Sequence, residues 1–162
     1  MAKNTVILSG LSEVMENLRM EAGKIKNGTM RGLILSAIEI RRDMEKTEPK
    51  IPIDTGNLRA SFFTVTSNGK GQKKPSQAFK GNKSGEMASH HDMVVAEKQA
   101  DAKTRTEPTL IMGFSASYGV WVHEDMEKKF KRPGSGPKFF EYAVNRNSKK
   151  VLQILLDNVK ID

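Results

Sequence analysis

Apolar residues recur at helical spacing through the first part of the chain, and this pattern predicts a long amphipathic helix. Spacings of three and four residues place these positions on one helical face. Asn27-Gly28-Thr29 interrupts the pattern, and glycine inside a helix costs about 1 kcal/mol relative to alanine. We therefore expect one long N-terminal helix with a weak point at Gly28, where a kink is allowed but not required, or two helices that meet there. The apolar positions are Leu11, Val14, Met15, Leu18, Ala22, Ile25, Met30, Leu33, Ile34, Ala37, Ile38 and Met44.

Short runs rich in β-branched and aromatic residues predict an antiparallel sheet of about four strands. The clearest runs lie at residues 60–67 and 109–114. Residues 118–123 alternate as a strand does, with successive side chains on opposite faces. Residues 6–8 suit an edge strand. Residues 92–107 are ambiguous: residues 93–96 suit a strand, and residues 96–103 suit one or two helical turns.

A second helical pattern begins at Phe139 and predicts a C-terminal helix packed on the sheet. Since helices and strands are segregated along the chain, the expected fold class is α+β, with helices covering one side of the sheet. The length of 162 residues suits a single domain over residues 1–162 with one core. We expect a flexible insertion at about residues 68–107, because no period is visible in most of it.

A turn at residues 52–61 separates the helical part of the chain from the strands. Pro49 and Pro52 end the preceding helix, because proline lacks the amide donor and restricts the residue before it. Asp54-Thr55-Gly56-Asn57 then has the composition of a turn. An Asp-Thr-Gly triplet also occurs in aspartic proteases, where two carboxylates share a proton, so a homodimeric protease is one alternative. The helical context and the following Asn57 do not favour it.

The formal net charge of +8 indicates an acidic partner or a solvated basic surface. The first basic loop, residues 68–91, has a single acid, Glu86, and the second is residues 128–138. Trp121 and Tyr118 are not interleaved with these lysines as a base-stacking surface requires, so such loops would bind phosphates without sequence preference. A nonspecific DNA-binding protein is therefore the second alternative. The basic residues concerned are Lys70, Lys73, Lys74, Lys80, Lys83, Lys128, Lys129, Lys131 and Arg132.

Other candidate chemistry is weak in this sequence. His90-His91-Asp92 and His123-Glu124-Asp125 are neighbours in sequence, and such runs rarely converge on one metal ion, so we interpret these histidines as surface residues. There is no cysteine, hence no disulfide and no thiolate ligand. No phosphate-binding loop or nucleophile elbow is present. No apolar run reaches the length of a membrane span. We expect no enzymatic activity, no cofactor and no metal.

Three stretches, in order, resemble the neck proteins of tailed phages and prophages, which complete the tail or join the head to it. Residues 52–61 are similar to that family's signature Pro-x-Asp-Thr-Gly-x-Leu-Arg-x-Ser. Residues 118–124 resemble its Tyr-Ala-x-x-Val-Glu segment. Residues 136–144 resemble its Pro-x-Phe-Leu-x-x-Ala-Leu segment at the start of the last helix. Together with the long leading helix, the resemblance covers most of the chain.

The resemblance implies a structural virion protein, made in the host cytoplasm and located in the phage neck. Copies would form a ring, a hexamer or alternatively a dodecamer, between the portal or connector side of the DNA-filled head and the tail. Such a ring needs contacts that close by rotation. Its other partners would be connector or adaptor proteins, tail terminator or tail-tube proteins, and DNA in the lumen, with no membrane involved.

The same resemblance implies which residues matter for assembly. We expect Asp54 and Arg59 to fix the turn through an ion pair. We expect the two basic loops to make the contacts between subunits and to become ordered on assembly. The motif residues are Asp54, Thr55, Gly56, Leu58, Arg59, Ser61, Tyr118, Trp121, Glu124, Pro137, Phe139 and Phe140.

Overall fold

The computed structural model describes residues 11–159 and shows a mostly helical chain with one small antiparallel sheet. The long N-terminal helix, the C-terminal helix and two of the expected strands are confirmed. The first helix runs without a break through Gly28. In chain order the elements are α1 (Leu11–Lys46), α2 (Asn57–Ala60), β1 (Phe62–Thr66), α3 (Ser84–Lys103), β2 (Leu110–Phe114), α4 (Gly119–Glu124) and α5 (Phe139–Asn158).

The two strands form the centre of the fold, with Phe62 of β1 paired opposite Phe114 of β2. Alternate residues of a strand point to opposite faces. On one face, Phe63 and Val65 pack against Val95 of α3. The other face belongs to the main core, and because both faces are covered every residue of β1 is buried. The main core contains Ile40, Met44, Ile51, Leu58, Phe62, Ala116, Val122, Phe139 and Ala143.

The prediction of about four strands is wrong, because within residues 11–159 the sheet has two. Residues 118–123, predicted as a strand, lie almost entirely in α4. Gly119 and Val122 are the buried positions there, three residues apart as in a helix. Close packing favours this arrangement, since a Cβ atom added at Gly119 would lie 3.1 Å from Leu58 Cδ1. The strand expected at residues 6–8 lies outside the described residues.

The prediction of a long basic inserted loop after β1 is wrong from residue 84 onward, because residues 84–103 form α3. The ambiguous residues 93–96 are therefore helical. The buried positions of α3 are His91, Val95 and Ala102, at spacings of four and seven residues. Those are helical repeats. Because one of the three is a histidine, the hydrophobic pattern carries no visible period, and sequence reasoning found only the one or two turns at residues 96–103.

The C-terminal helix packs along α1 rather than on the sheet, so its predicted placement is wrong. It meets the sheet at its first turn, where the ring centroids of Phe139 and Phe114 are 5.7 Å apart. Gly28 and Gly32 allow the two helices to approach closely, because a Cβ atom added at Gly28 would overlap the Asn158 carbonyl. The residue expected to weaken α1 is thus a contact position.

Two glycines of α1 make a matched pair for testing this contact. We expect Gly28→Ala to destabilise the protein by about 1–2 kcal/mol, because the last turn of α5 must shift to avoid overpacking. Gly23 has no atom within 4 Å of an added Cβ, so Gly23→Ala should stabilise by about 0.5–1 kcal/mol through helix propensity. Urea unfolding followed by circular dichroism measures both. Equal effects of the two substitutions would contradict the close approach.

Candidate functional site

The turn at residues 52–61, which we call the corner, is built around Gly56. Gly56 has a φ of 90°, in the left-handed region that glycine tolerates without strain. The side-chain oxygen of Thr55 accepts a hydrogen bond from the Asn57 amide at 3.3 Å. These interactions start α2 directly after the turn. Also buried in the corner are Leu58, Ala60 and Ser61.

Asn57 holds the first basic segment, residues 68–83, against the corner. Its Oδ1 accepts from the Lys80 amide at 2.8 Å, and its Nδ2 donates to the Lys80 carbonyl at 2.9 Å. Nearby, Gln77 Nε2 donates to the Gly56 carbonyl at 3.3 Å. Asn57 itself is only 7% exposed, whereas Lys80 and Gln77 are exposed, so these bonds are partly buried. Sequence reasoning treated Asn57 as a turn residue and missed this role.

One carboxylate, that of Glu45, gathers three guanidinium groups, and we call the four residues the Glu45 cluster. Glu45 Oε1 lies 2.9 Å from Arg41 Nη2 and 2.8 Å from Arg59 Nε. Glu45 Oε2 lies 3.5 Å from Arg132 Nη1, and Arg132 also donates to the Glu45 carbonyl at 2.8 Å. The cluster therefore joins the end of α1 to the corner and to the second basic segment, residues 128–138.

Arg41 is the most buried of the three arginines, with 17% of its side chain exposed. Burial lowers the pKa of Arg41 and the nearby Arg59 acts in the same direction, whereas the Glu45 carboxylate raises it. Its guanidinium carbon also lies 4.7 Å from the ring centroid of Phe62, a cation–π contact. The Nη1 atom is buried and has no hydrogen-bond acceptor within the described chain.

The ion pair expected between Asp54 and Arg59 is not formed, since Arg59 pairs with Glu45 instead. The Asp54 carboxylate lies 2.6 Å from Lys131 Nζ, and both side chains are largely exposed. That hydrogen bond raises the pKa of Lys131. Asp54 also adds to the effect of burial in raising the pKa of Tyr118.

Beside the corner, α4 presents large apolar side chains to solvent. Val120 is 67% exposed and Trp121 is 76% exposed, and Met126, just past the helix, is 64% exposed. Tyr118 is 38% exposed and lines a cleft of about 380 Å³ next to Asp54. We call Val120, Trp121 and Met126 the α4 patch. Nothing in the described chain covers these three side chains.

The start of α5 is fixed to the end of α4. The Lys138 amide donates to the His123 carbonyl at 2.8 Å, and its ammonium group pairs with Glu124 and, at 3.2 Å, with Glu141. Hydrogen bonds from Lys138 and His123 lower the pKa of Glu124. Phe139 is buried in the main core. Pro137, which precedes Lys138, and Phe140, which follows Phe139, are half-buried.

His91 is the clearest residue that sequence reasoning misplaced, because it is fully buried rather than on the surface. Its Nε2 lies 3.0 Å from the Lys73 carbonyl and its Nδ1 lies 2.8 Å from the Ser115 hydroxyl. A carbonyl only accepts, so Nε2 donates to Lys73. The ring thereby ties the first basic segment to α3. His90 is exposed, and His123 is half-buried.

Most of the predicted basic contact residues are solvent-exposed. The exceptions are Lys73 and Arg132, which are half-buried, and Arg132 is occupied by the Glu45 cluster. Lys131 pairs with Asp54. The exposed residues are Lys70, Lys74, Lys80, Lys83, Lys128, Lys129 and Lys131.

Residues 11–159 contain no group of three or more His, Cys, Asp or Glu side chains placed to hold a metal ion. Over the same range, no helix is both long enough and apolar enough to cross a membrane. Comparison of the chain with protein-family models, with curated proteins and with solved structures gave no match in any of the three.

Two carboxylates near the corner provide a test of the Glu45 cluster. We expect Glu45→Ala to destabilise the protein by about 2–3 kcal/mol, because three guanidinium groups lose the anion that they share. Asp54→Ala removes an exposed, solvent-screened ion pair and should cost much less. The free energy of unfolding in urea measures both. Similar losses for the two variants would show that the cluster does not hold the corner.

Proposed function

We propose that this chain is a structural protein of the phage neck, whose copies form a ring that joins the DNA-filled head to the tail. The ring lies between the connector side of the head and the upper end of the tail, and a hexamer is the favoured stoichiometry. The protein acts by assembly and carries out no chemical reaction. The proposal starts from the resemblance of three sequence stretches to neck proteins.

One structural observation supports this proposal more than any other: the three stretches form one packed unit. Leu58 of the corner lies against Gly119 at the start of α4. His123 at the end of α4 accepts the hydrogen bond that begins α5, and Phe139 shares the main core with Leu58 and Val122. Stretches that are far apart in sequence therefore build one packed unit. Such a unit can hold the exposed side chains of α4 in a fixed position, which an assembly role would need.

The α4 patch lies on this unit and suits a contact between proteins. Aromatic residues with well-packed neighbours dominate many protein interfaces. Trp121 is more exposed than Tyr118, Val120 or Met126, while α4 beneath it is fixed to the corner and to α5. A rigidly mounted, exposed tryptophan loses little conformational entropy when a partner covers it. We assign the α4 patch to the contact with a neighbouring neck protein.

A nonspecific DNA-binding protein remains the second candidate, favoured by the exposed lysines of the two basic segments. Phosphate contacts of this kind make affinity fall steeply as salt rises. A neck protein whose ring encloses DNA would bind that DNA more weakly through the same lysines, because protein contacts drive its assembly. Binding of the purified chain to free duplex, measured at several salt concentrations, separates the two functions.

The direct test is electron microscopy of particles from a phage that carries a nonsense mutation in the gene for this chain. We expect filled heads beside separate, unattached tails, because the joint between them is missing. Normal virions would contradict the neck role and turn attention to DNA binding. Absent or unprocessed heads would instead place the protein in head assembly.

A finer test uses two exposed apolar residues. We expect Trp121→Ala to fold normally and to lower the yield of joined particles at least tenfold, because a hot-spot contact is lost. Met93→Ala is the control, since Met93 is 64% exposed on α3, where no other large apolar residue is exposed. Infectious titre and thermal unfolding are measured for both variants. Full titre with Trp121→Ala would remove the α4 patch from the joint.

A further inference from the structure

The first part of α1 extends beyond the part of the helix that α5 covers. The last residue of α5, Asn158, lies against Gly28. Residues 12–27, which we call the arm, therefore project about 24 Å past this contact at 1.5 Å per residue. Within the arm, residues 12–20 are all exposed.

The arm carries an apolar stripe that continues the face of α1 buried by α5. Val14, Leu18 and Ile25 stand at helical spacing from each other and from the α5-facing Gly28 and Gly32. Val14 is 54% exposed and Leu18 is 62% exposed. Since the same stripe is covered further along the helix, its exposure on the arm indicates a surface that requires a partner.

A groove elsewhere on the chain has the shape and chemistry to receive such a helix. It lies between α1 and residues 70–72, which run beside β1 because the Gln72 carbonyl accepts from the Thr64 amide at 2.9 Å. Its volume is about 540 Å³. Ile38, on its edge, is 59% exposed. The apolar residues that line the groove are Ile34, Ala37, Ile38, Phe62 and Leu110.

The N-terminal end of the arm and the groove carry opposite charges. The charged residues among those described that line the groove are Arg41 and Lys70. Arg41 pairs with Glu45 through Nη2, but its Nη1 is a buried donor with no acceptor in the described chain. Glu13 and Glu16 lie at the N-terminal end of the arm, and Arg19, Glu21, Lys24 and Lys26 follow them. An arriving arm would thus bring carboxylates towards the free Nη1 donor of Arg41 and towards Lys70, and apolar side chains towards an apolar floor.

We propose that the arm of one copy docks in this groove of a second copy. The contact joins two different surfaces, so it is heterologous and can repeat from copy to copy until a ring closes. The inference rests on the ring assembly proposed above and names the surfaces that build it. The occupant of the groove is a second copy of this chain rather than a different neck protein.

The test uses engineered cysteines, because the chain contains none. Leu18→Cys and Ile38→Cys are purified separately, mixed at high concentration and treated with a short bis-maleimide linker, which tolerates a shift of one helical turn, about 5.4 Å. We expect a cross-linked dimer in the mixture and almost none in either variant alone. A chain carrying both cysteines should give a ladder of multimers. Met93→Cys mixed with Leu18→Cys is the control for random collision.

Charge reversal provides the second measurement. Glu13→Lys combined with Glu16→Lys should lower the cross-linking yield several-fold at low salt, and Lys70→Glu in the receiving copy should recover much of it. Neither change touches the Glu45 cluster, so folding is expected to be unaffected, and thermal unfolding checks this. If the arm met some other surface, Lys70→Glu would not restore the cross-linking yield lost through Glu13→Lys and Glu16→Lys.

Three outcomes would overturn the inference. Dimers from Leu18→Cys alone would show that arms pair with each other, and equal yields with the Met93→Cys control would show random contact. No product in the mixture would show that the arm does not dock on a second copy. These outcomes are independent of the phage phenotype. Unattached heads and tails together with no cross-link would support the neck role and contradict the docking of the arm. A cross-link together with normal virions would support the docking and contradict the neck role.

Discussion

The fold depends on a balance of charge at the end of α1, where the Glu45 carboxylate is shared by Arg41, Arg59 and Arg132. Two like charges about 4 Å apart repel by about 4 kcal/mol at the effective dielectric constant near a protein surface. Three guanidinium groups can therefore meet only around an anion. Because they come from α1, the corner and the second basic segment, none of these parts can move away alone without separating charges.

The corner transmits this constraint to the surface. Once Arg59 is held, α2 presents Leu58 to Gly119, where the close approach leaves no room for a larger residue without displacement. This contact sets the position of α4, and α4 in turn receives the Lys138 amide that begins α5. Trp121 is thus exposed on a support that is fixed from two directions. Its exposure is a consequence of the packing beneath it.

Sequence reasoning located the elements that have a regular hydrophobic pattern and missed those defined by polar or tertiary contacts. A regular pattern was enough to recognise the periodic apolar residues of α1 and α5 and the β-branched runs of β1 and β2. Most of α3 could not be recognised in this way, because a buried histidine occupies a core position and its partners Lys73 and Ser115 are distant in sequence. The spacing of Arg41 and Glu45 signals a helical ion pair. Nothing local, however, indicates that Arg59 and Arg132 join it, and so Arg59 was paired with the wrong acid.

The net charge of +8 disfavours indiscriminate association of a chain with an exposed arm and an exposed α4 patch. Copies that approach in arbitrary orientations meet lysines with lysines and repel one another. An approach that brings Glu13 and Glu16 towards Arg41 and Lys70 avoids this repulsion. Apolar contact would then be reached mainly in one relative orientation. Charge would therefore determine the relative orientation in which two copies meet, while burial of the apolar stripe would provide the free energy of association.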